Sequence, residues 1–251
     1  MLGRFLEFSV PTSDIVDSLS FYKLLGFQEL ESGDVWSHKY AVVTDGEICI
    51  GLHDQELAGP TLTFVLQELA KEARSMSDHG FEFQHLQLDE DAFNELTFVD
   101  RDDHPIKMIE ARTFSPPGDD LPDSLCGAWF EVVLPVKDTL RAARFWAPLA
   151  PELLRMREEP TTHMRFSAAG IPLGLSESIA LKAPSLCFRC DDKEAVWIAL
   201  AKHGFAHQEF PGFEGAFMSI GAPEGTTLFL FDEDYLGETY EVEETEPVDA
   251  D

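Results

Sequence analysis

The stretch Phe5-Leu6-Glu7-Phe8-Ser9-Val10-Pro11-Thr12-Ser13-Asp14 decides the fold, because the chain repeats it about halfway along. It has the pattern of an apolar strand, a turn and an acidic residue at the N-cap of a helix. The second copy is Trp129-Phe130-Glu131-Val132-Val133-Leu134-Pro135-Val136-Lys137-Asp138, which begins 124 residues later. In both copies a single carboxylate, Glu7 or Glu131, interrupts the apolar strand seven residues before the capping Asp.

Further features recur at nearly the same spacing. They are Gly46 with Gly170, Ile50-Gly51-Leu52 with Leu173-Gly174-Leu175, His79-Gly80-Phe81 with His203-Gly204-Phe205, and a hairpin at 101–105 with one at 222–226. Such a repeat indicates an internal duplication. We predict an α+β fold of four βαβββ modules, paired into two half-open, barrel-like sheets with the helices outside. Whether the modules pair within each half or cross between the halves stays open at this point.

A connector rich in Pro, Gly and Asp, Ser115-Pro116-Pro117-Gly118-Asp119-Asp120-Leu121-Pro122, separates the two halves. We predict a first domain at 1–114, a linker at 115–125 and a second domain at 126–236. Residues 237–251 form an acidic run that we expect to be a disordered tail. Four modules already supply what a homodimer of two-module chains would, so we expect a monomer or a weak homodimer.

The chain of 251 residues has a formal net charge of −29, from 47 acidic and 18 basic residues. Such a charge repels phosphate backbones and anionic lipid surfaces, so we expect neither nucleic-acid nor membrane binding. It favours solubility, as in a salty cytoplasm, or attraction of a cationic ligand. The sequence contains no apolar run long enough to cross a bilayer and does not begin like a secretory signal, so we expect a cytoplasmic protein.

The four-residue run Cys187-Phe188-Arg189-Cys190 has the CxxC spacing of redox and zinc sites. It lies in a strand-like segment, where residues three apart point to opposite faces. We therefore expect reduced, partly buried thiols rather than a redox pair or a zinc site.

The modules resemble the vicinal oxygen chelate superfamily, which includes glyoxalase I, bleomycin- and fosfomycin-resistance proteins and extradiol dioxygenases. The resemblance rests on the repeated opening phrase and on three further runs: Phe21-Tyr22-Lys23-Leu24-Leu25-Gly26-Phe27, Phe98-Val99-Asp100-Arg101-Asp102-Asp103-His104 and Ala222-Pro223-Glu224-Gly225-Thr226. It covers roughly residues 3–235 and implies a fold in which paired modules surround a cleft. Because one fold hosts many chemistries, the resemblance says less about activity.

In this superfamily a divalent metal is typically held by His or Gln on the first strand of a module and by Glu on the last strand, which leaves positions open for two adjacent substrate oxygens. The matching positions here are Glu7, Thr61 and Lys107 in the first half, and Glu131, Ser185 and Phe229 in the second. Neither set has the His and Glu complement, and a lysine ammonium would repel a cation. We therefore predict no metal and no other cofactor.

The residues that we expect to line the clefts and bind a ligand are Glu7, Thr61, Lys107, Trp129, Glu131, Ser185, Phe229 and His38. Glu7 and Glu131 lie among apolar neighbours, where a carboxylate needs a partner. Lys107 is a candidate partner for either of them. Trp129 and Glu131 are two residues apart on one strand, so strand alternation predicts that both side chains point to the same face. Trp129 is therefore expected to line the second cleft together with Phe229.

Our leading hypothesis is a protein of the glyoxalase and bleomycin-resistance type that binds a small organic ligand, with a cationic one as an option, in metal-free clefts. The alternative is a metal-dependent lyase, isomerase or dioxygenase of the same superfamily, with a metal held by a set such as Glu7, His38 and Glu110. A third hypothesis is an interaction module whose clefts are filled by side chains.

Overall fold

The computed structural model describes residues 2–31, 38–89, 93–111, 121, 124–149, 152–158, 161–210 and 216–232. The first half contains β1 (Arg4–Pro11), α1 (Ile15–Leu24), β2 (Gln28–Leu30), β3 (Tyr40–Thr44), β4 (Cys49–His53), β5 (Thr61–Leu66), α2 (Leu69–Asp78), β6 (His85–Gln87), β7 (Glu95–Val99) and β8 (Pro105–Glu110). The second half contains β9 (Ala128–Pro135), α3 (Thr139–Trp146), a 3₁₀ turn (Ala147–Leu149), β10 (Glu152–Arg157), β11 (His163–Ala168), β12 (Ile171–Ser176), β13 (Ser185–Cys190), α4 (Lys193–Lys202), β14 (His207–Glu209), β15 (Phe217–Gly221) and β16 (Thr227–Asp232). Most of the predicted linker and the whole predicted tail lie outside the described residues.

The repeated opening phrase forms the same local structure twice. Asp14 accepts hydrogen bonds from the backbone N–H groups of Val16 and Asp17 at the start of α1. Asp138 accepts one from Arg141 at the start of α3. Each carboxylate satisfies donors that the first helical turn leaves without partners, which is why the strand-to-helix turn falls where the sequence predicts it.

Each half forms one eight-stranded sheet. The strand orders are β2-β3-β4-β1-β5-β8-β7-β6 and β10-β11-β12-β9-β13-β16-β15-β14. The two modules of a half join through antiparallel pairing of their first strands, β1 with β5 and β9 with β13. Modules therefore pair within each half, and the predicted α+β class with two open sheets is confirmed.

The helices cover one face of each sheet. Phe8 and Val10 on β1 pack into a large core together with Phe21 and Tyr22 from α1. Glu7 and Ser9 alternate with those core residues and so lie on the opposite face. We call this opposite face the cleft face of the sheet, in both halves.

A β-bulge occurs at the same place in both halves. On β1, Phe5 is opposite Phe64 whereas Glu7 is opposite Thr63, so that Leu6 is an extra residue. On β9, the same shift lies between Trp129 and Glu131. Because a bulge inserts one residue, it reverses the side-chain alternation beyond it. The bulge therefore puts the carboxylate on the cleft face while the aromatic residue two positions earlier stays on the core face.

The halves contact each other through their final hairpins. Glu224, in the last hairpin of the second half, accepts hydrogen bonds from Tyr22 Oη at 2.7 Å and Ser18 Oγ at 2.9 Å on α1. In the reciprocal contact, Phe145 on α3 packs against Phe98, which precedes the last hairpin of the first half. The two halves thus use equivalent surfaces on each other, as the subunits of a two-fold dimer do. None of the described helices is both long and apolar enough to cross a membrane.

Candidate functional site

Glu7 is the centre of a polar cluster on the cleft face of the first sheet. Its side chain is only 1% exposed. Oε1 accepts a hydrogen bond from Ser9 Oγ at 2.7 Å and lies 2.8 Å from His53 Nε2. Oε2 accepts a very short hydrogen bond from Tyr40 Oη. A buried carboxylate needs such donors, because burial without them would disfavour its charged form.

The cluster continues from His53 to His38. His53 Nδ1 lies 2.8 Å from His38 Nε2, so that Glu7, His53 and His38 form a row. Burial and then the neighbouring imidazole of His53 and the ammonium of Lys107 hold the pKa of His38 below its ordinary value. His38 is therefore neutral at pH 7, the form that can accept a proton.

Both ring nitrogens of His53 are engaged in this row, Nε2 by Glu7 Oε1 and Nδ1 by His38 Nε2. A neutral imidazole has one N–H donor and one acceptor nitrogen, so it can donate on one side while it accepts on the other. His53 therefore connects the partly buried His38 to the buried Glu7.

A glycine makes room for the Glu7 carboxylate. A Cβ placed on Gly51 would lie 2.3 to 2.5 Å from the three atoms of that carboxyl group. In the second half, a Cβ on Gly174 would lie 2.8 Å from Glu131 Oε2 and equally close to His163 Cε1. Both glycines were visible in the sequence as part of the repeat, and the structure shows their purpose.

The structure brings Glu7 and His38 together through His53, but it leaves Glu110 elsewhere. Glu110 accepts hydrogen bonds from the Leu69 backbone N–H at 3.2 Å and from Asn94 Nδ2 at 2.6 Å. The set of Glu7, His38 and Glu110 proposed from the sequence is therefore not assembled.

Sequence reasoning missed His53 and Tyr40, which stand opposite each other on β4 and β3. The available signal was His53 lying two residues after Gly51 on the same face of its strand. The ligand positions considered in the sequence lie on the first strand of each module and on the last strand of each half, whereas β4 is the last strand of the first module only.

Lys107 and Thr61 have other partners than expected. Lys107 Nζ forms an ion pair with Glu95 Oε2 at 2.6 Å, a partner that the sequence had not suggested. Thr61 Oγ1 donates to the Gly59 carbonyl at 3.0 Å. In the second half Ser185 Oγ makes the equivalent bond, to the carbonyl two residues before it. These two hydroxyls therefore stabilise the turns that lead into β5 and β13.

In the second half the carboxylate has different partners. Glu131 is 2% exposed, and its Oε2 lies 3.2 Å from His163 Nε2 and 3.8 Å from Arg165 Nε. Arg165 also donates a very short hydrogen bond to the carbonyl of Phe130, the bulged residue. His163 stands opposite Ser176, in the place that Tyr40 and His53 occupy in the first half.

A cavity of about 830 Å³ opens on the cleft face of the second sheet. Glu131, Ser185 and Phe229 line it, as predicted for the second cleft. Trp129 packs instead in the core on the helix side. The bulge explains this difference, since it puts Trp129 and Glu131 on opposite faces although they are two residues apart. An open cavity of this size also counts against clefts that are filled by side chains.

The two cleft faces differ in polarity at equivalent positions. Where the first half has Ser9 and Thr63, the second half has Val133 and Cys187 at the matching register. Two further pairs of equivalent residues are Glu95 with Phe217 and Lys107 with Phe229. The two halves therefore share the sheet and the central carboxylate, while these four positions are polar in the first half and apolar in the second.

The first cleft contains side chains of the types that bind divalent metal ions. Among the described parts of the chain, no three His, Cys, Asp or Glu side chains stand in a metal-holding arrangement. The donor types at Glu7, His53 and His38 nevertheless fit, because one carboxylate and two imidazoles suit first-row divalent metals. In this structure the three bond to each other in a row, with His53 in the middle.

Comparison with solved structures supports the fold. The chain is similar to an extradiol ring-cleaving dioxygenase from B. fuscum (TM-score 0.61, 14% identity, 92% of this chain and 71% of that chain covered). It is also similar to the 2,3-dioxygenase LapB from Pseudomonas sp. KL28 (0.60, 12%, 92% and 93%) and to BphC, a halotolerant catechol dioxygenase (0.60, 11%, 92% and 87%). No protein-family model matches the sequence, and no curated protein matches it either.

These similarities contradict the prediction that the protein needs no cofactor. The similar structures are dioxygenases, and one of them is named as an extradiol enzyme, the branch of the superfamily that we had grouped with the metal-holding members. The prediction was wrong because it compared only the first strand of each module and the last strand of each half with the superfamily pattern, and so left out His53 on β4. The resemblance noted in the sequence is confirmed for the fold: the chain has the fold of these dioxygenase structures, in two tandem halves of eight strands each.

Proposed function

We propose that the chain is a metal-dependent lyase, isomerase or dioxygenase that acts on a small substrate with adjacent oxygen atoms, and that its chemistry takes place at the Glu7 cluster. The observation that carries this proposal is the row of Glu7, His53 and His38 on the cleft face of the first sheet. The similarity to dioxygenase structures supports the reaction class, as these are enzymes that act on small aromatic substrates such as catechol.

Glu7, His53 and His38 are the residues that would hold the metal. A divalent ion bound there would polarise the oxygen atoms of a substrate as a Lewis acid. Both ring nitrogens of His53 are hydrogen-bonded in this structure, to Glu7 and to His38, and one of these bonds would give way to the ion.

Neighbouring residues hold the side chains of this cluster in position. Tyr40 and Ser9 donate hydrogen bonds to Glu7 and so fix the orientation of its carboxyl group. His53 is almost fully buried, whereas His38 is only partly buried. His38 is therefore the member of the row that a substrate in the cleft can reach most directly.

The proposal is tested by measuring the metal content of the purified protein by mass spectrometry, before and after stripping with a chelator and reloading with Fe²⁺, Mn²⁺ or Zn²⁺. We expect about one ion per chain in the unmodified protein, and at least a tenfold weaker affinity in Glu7→Gln and His53→Ala, since each removes one of three ligands.

Glu110→Gln is the matched control, because Glu110 is also a strand carboxylate of the first half but lies away from the row. It is expected to keep the metal. Failure of the unmodified protein to bind any of the three ions, or equal binding by Glu7→Gln and Glu110→Gln, would overturn the proposal. Oxygen uptake with catechol then separates a dioxygenase from a lyase or isomerase.

A further inference from the structure

We infer that the outer face of helix α4 (Lys193–Lys202) is a self-association surface, through which two copies of this chain pack α4 against α4 in antiparallel orientation. The helix lies on the core side of the second sheet, so this surface is separate from both cleft faces. The inference does not depend on the function proposed for the Glu7 cluster. It rests on the exposed apolar residues of α4, on the pattern of its charges and on the contrast with α2.

Helix α4 is apolar on its outer side as well as on its inner side. Val196 and Leu200 are buried and pack into the large core. Ile198 and Trp197 are 49% and 47% exposed. With 3.6 residues per turn, Ile198 lies opposite the midpoint between Val196 and Leu200, and so at the centre of the outer face. Such a residue gains free energy when a partner covers it.

The equivalent helix of the first half shows that the fold does not require an apolar outer face. The run His79-Gly80-Phe81 follows α2 as His203-Gly204-Phe205 follows α4, so Arg74 occupies the position of Ile198. Arg74 is exposed to solvent. The same helix position therefore accepts a charged residue, and the apolar centre is a property of α4 alone.

Two opposite charges flank Ile198 symmetrically. Glu194 lies four residues before it and Lys202 four residues after it, so that all three share one stripe along the helix. Neither Glu194 nor Lys202 forms an ion pair with another residue in the described part of the chain. Lys193, by contrast, is paired with Asp232 at 3.1 Å.

This stripe is complementary to itself when it is reversed. A two-fold axis at Ile198 places Glu194 of each copy opposite Lys202 of the other copy, which gives two ion pairs. A parallel arrangement would bring like charges together instead. Ala195 and Ala201 stand three residues before and after Ile198, and their small side chains allow two helices to approach closely.

The outer face of α4 also avoids the repulsion between two chains of charge −29. Its central stripe carries one acidic and one basic residue, and so has no net charge. At physiological ionic strength the Debye length is about 8 Å, so carboxylates elsewhere on the surface are largely screened. A neutral, apolar face is therefore the place where two copies meet at the lowest cost.

The size of the contact sets its strength. A helix of 10 residues is about 15 Å long, and a contact of one such helix from each copy falls below the standard interface area of about 1,600 Å². The complex is therefore a weak homodimer, which is one of the two oligomeric states that the sequence left open.

Sedimentation velocity of the full chain at increasing concentration, in about 0.15 M salt, tests the inference. We expect a monomer–dimer equilibrium with a dissociation constant of about 10–100 μM. Ile198→Arg gives α4 the residue type that α2 has at this position, and should raise the dissociation constant at least tenfold. Leu140→Arg is the matched control, because Leu140 is a similarly exposed apolar residue on α3, and it should leave the dissociation constant unchanged.

A charge reversal tests the antiparallel orientation. Glu194→Lys or Lys202→Glu alone places like charges opposite each other twice, and each should raise the dissociation constant about fivefold. The double variant Glu194→Lys/Lys202→Glu restores opposite charges and should recover the original affinity. Thermal unfolding of each variant checks the fold, since the reversed charges oppose the helix dipole.

Three results would overturn the inference. They are sedimentation of the unmodified chain as a monomer at every concentration, equal effects of Ile198→Arg and Leu140→Arg, and a double charge variant that associates no better than the single ones. The metal content of Ile198→Arg should equal that of the unmodified protein. The dimer and the metal site can therefore fail independently of each other.

Discussion

Gly51→Ala should be among the most damaging single substitutions in this chain. The added Cβ would lie 2.3 to 2.5 Å from the carboxyl atoms of Glu7, far inside the usual carbon contact distance of about 3.5–4.0 Å. The backbone of Gly51 is held between β1 and β3, so the strand itself has little freedom to move. The Glu7 side chain must therefore shift by about 1 Å, the difference between these distances.

The cost follows from the bonds that such a shift breaks. The carboxylate is bonded to Ser9, His53 and Tyr40. A hydrogen bond to a charged group contributes about 1.5–3 kcal/mol, and losing most of two of the three lowers the free energy of unfolding by about 3–5 kcal/mol. Gly174→Ala should cost less, about 1–2 kcal/mol, because its nearest contacts are at 2.8 Å and fewer bonds depend on them.

Urea unfolding followed by circular dichroism measures these differences. Gly221→Ala is the control, since a Cβ there would meet nothing within 4 Å, and it should change stability by no more than about 0.5–1 kcal/mol. The decisive comparison is Gly51→Ala in the background of Glu7→Ala. Without the carboxyl group the added Cβ has room, so the second substitution should cost less than about 1 kcal/mol. An undiminished cost in that background would refute this reasoning.

Four further outcomes are expected. Tyr22→Phe removes the hydrogen bond to Glu224 between the halves and should lower the free energy of unfolding by about 1–2 kcal/mol. Burial and then Glu224 raise the pKa of Tyr22, so the native state keeps a proton that the unfolded chain loses near pH 10; stability should fall as pH rises above about 10, less steeply in Tyr22→Phe. Burial raises the pKa of Cys49 to about 11 and that of Cys187 well above its ordinary value, so the native protein should react slowly with a disulfide reagent at pH 8 and the denatured chain quickly. Because the chain carries a charge of −29, added salt should raise its stability from low ionic strength, as measured by thermal unfolding.

The parts of the fold that depend on local chemistry were predictable from the sequence. The capping carboxylates of Asp14 and Asp138 mark the starts of α1 and α3, because an N-cap acts within one turn of its helix. The opposite orientations of Cys187 and Cys190 also follow from strand alternation, and the structure places them in different hydrophobic clusters. Such features need no knowledge of which strands pair.

The wrong predictions concern residues whose surroundings depend on how distant strands pair. Trp129 was assigned to the cavity by simple alternation, but a bulge between β9 and β13 reverses its face. His53 was overlooked because its contact with Glu7 crosses from β4 to β1, which pair in parallel and lie 46 residues apart in the chain. A bulge or a cross-strand contact depends on two distant segments, and a single segment carries no sign of it.

The features that position the central carboxylate are the same in both halves, whereas the side chains around it differ. The bulge, the carboxylate and the glycine opposite it occur in both halves, and together they place one charged group at the centre of the cleft face. The companions differ: Tyr40 and His53 in one half, His163 and Ser176 in the other, always on the third and fourth strands of the module. On these two strands the backbones of the two halves correspond, but the side chains next to the carboxylate are different. The search for activity in this fold therefore belongs on the third and fourth strands of the first module of each half, as well as on the first strands of the modules and the last strand of each half.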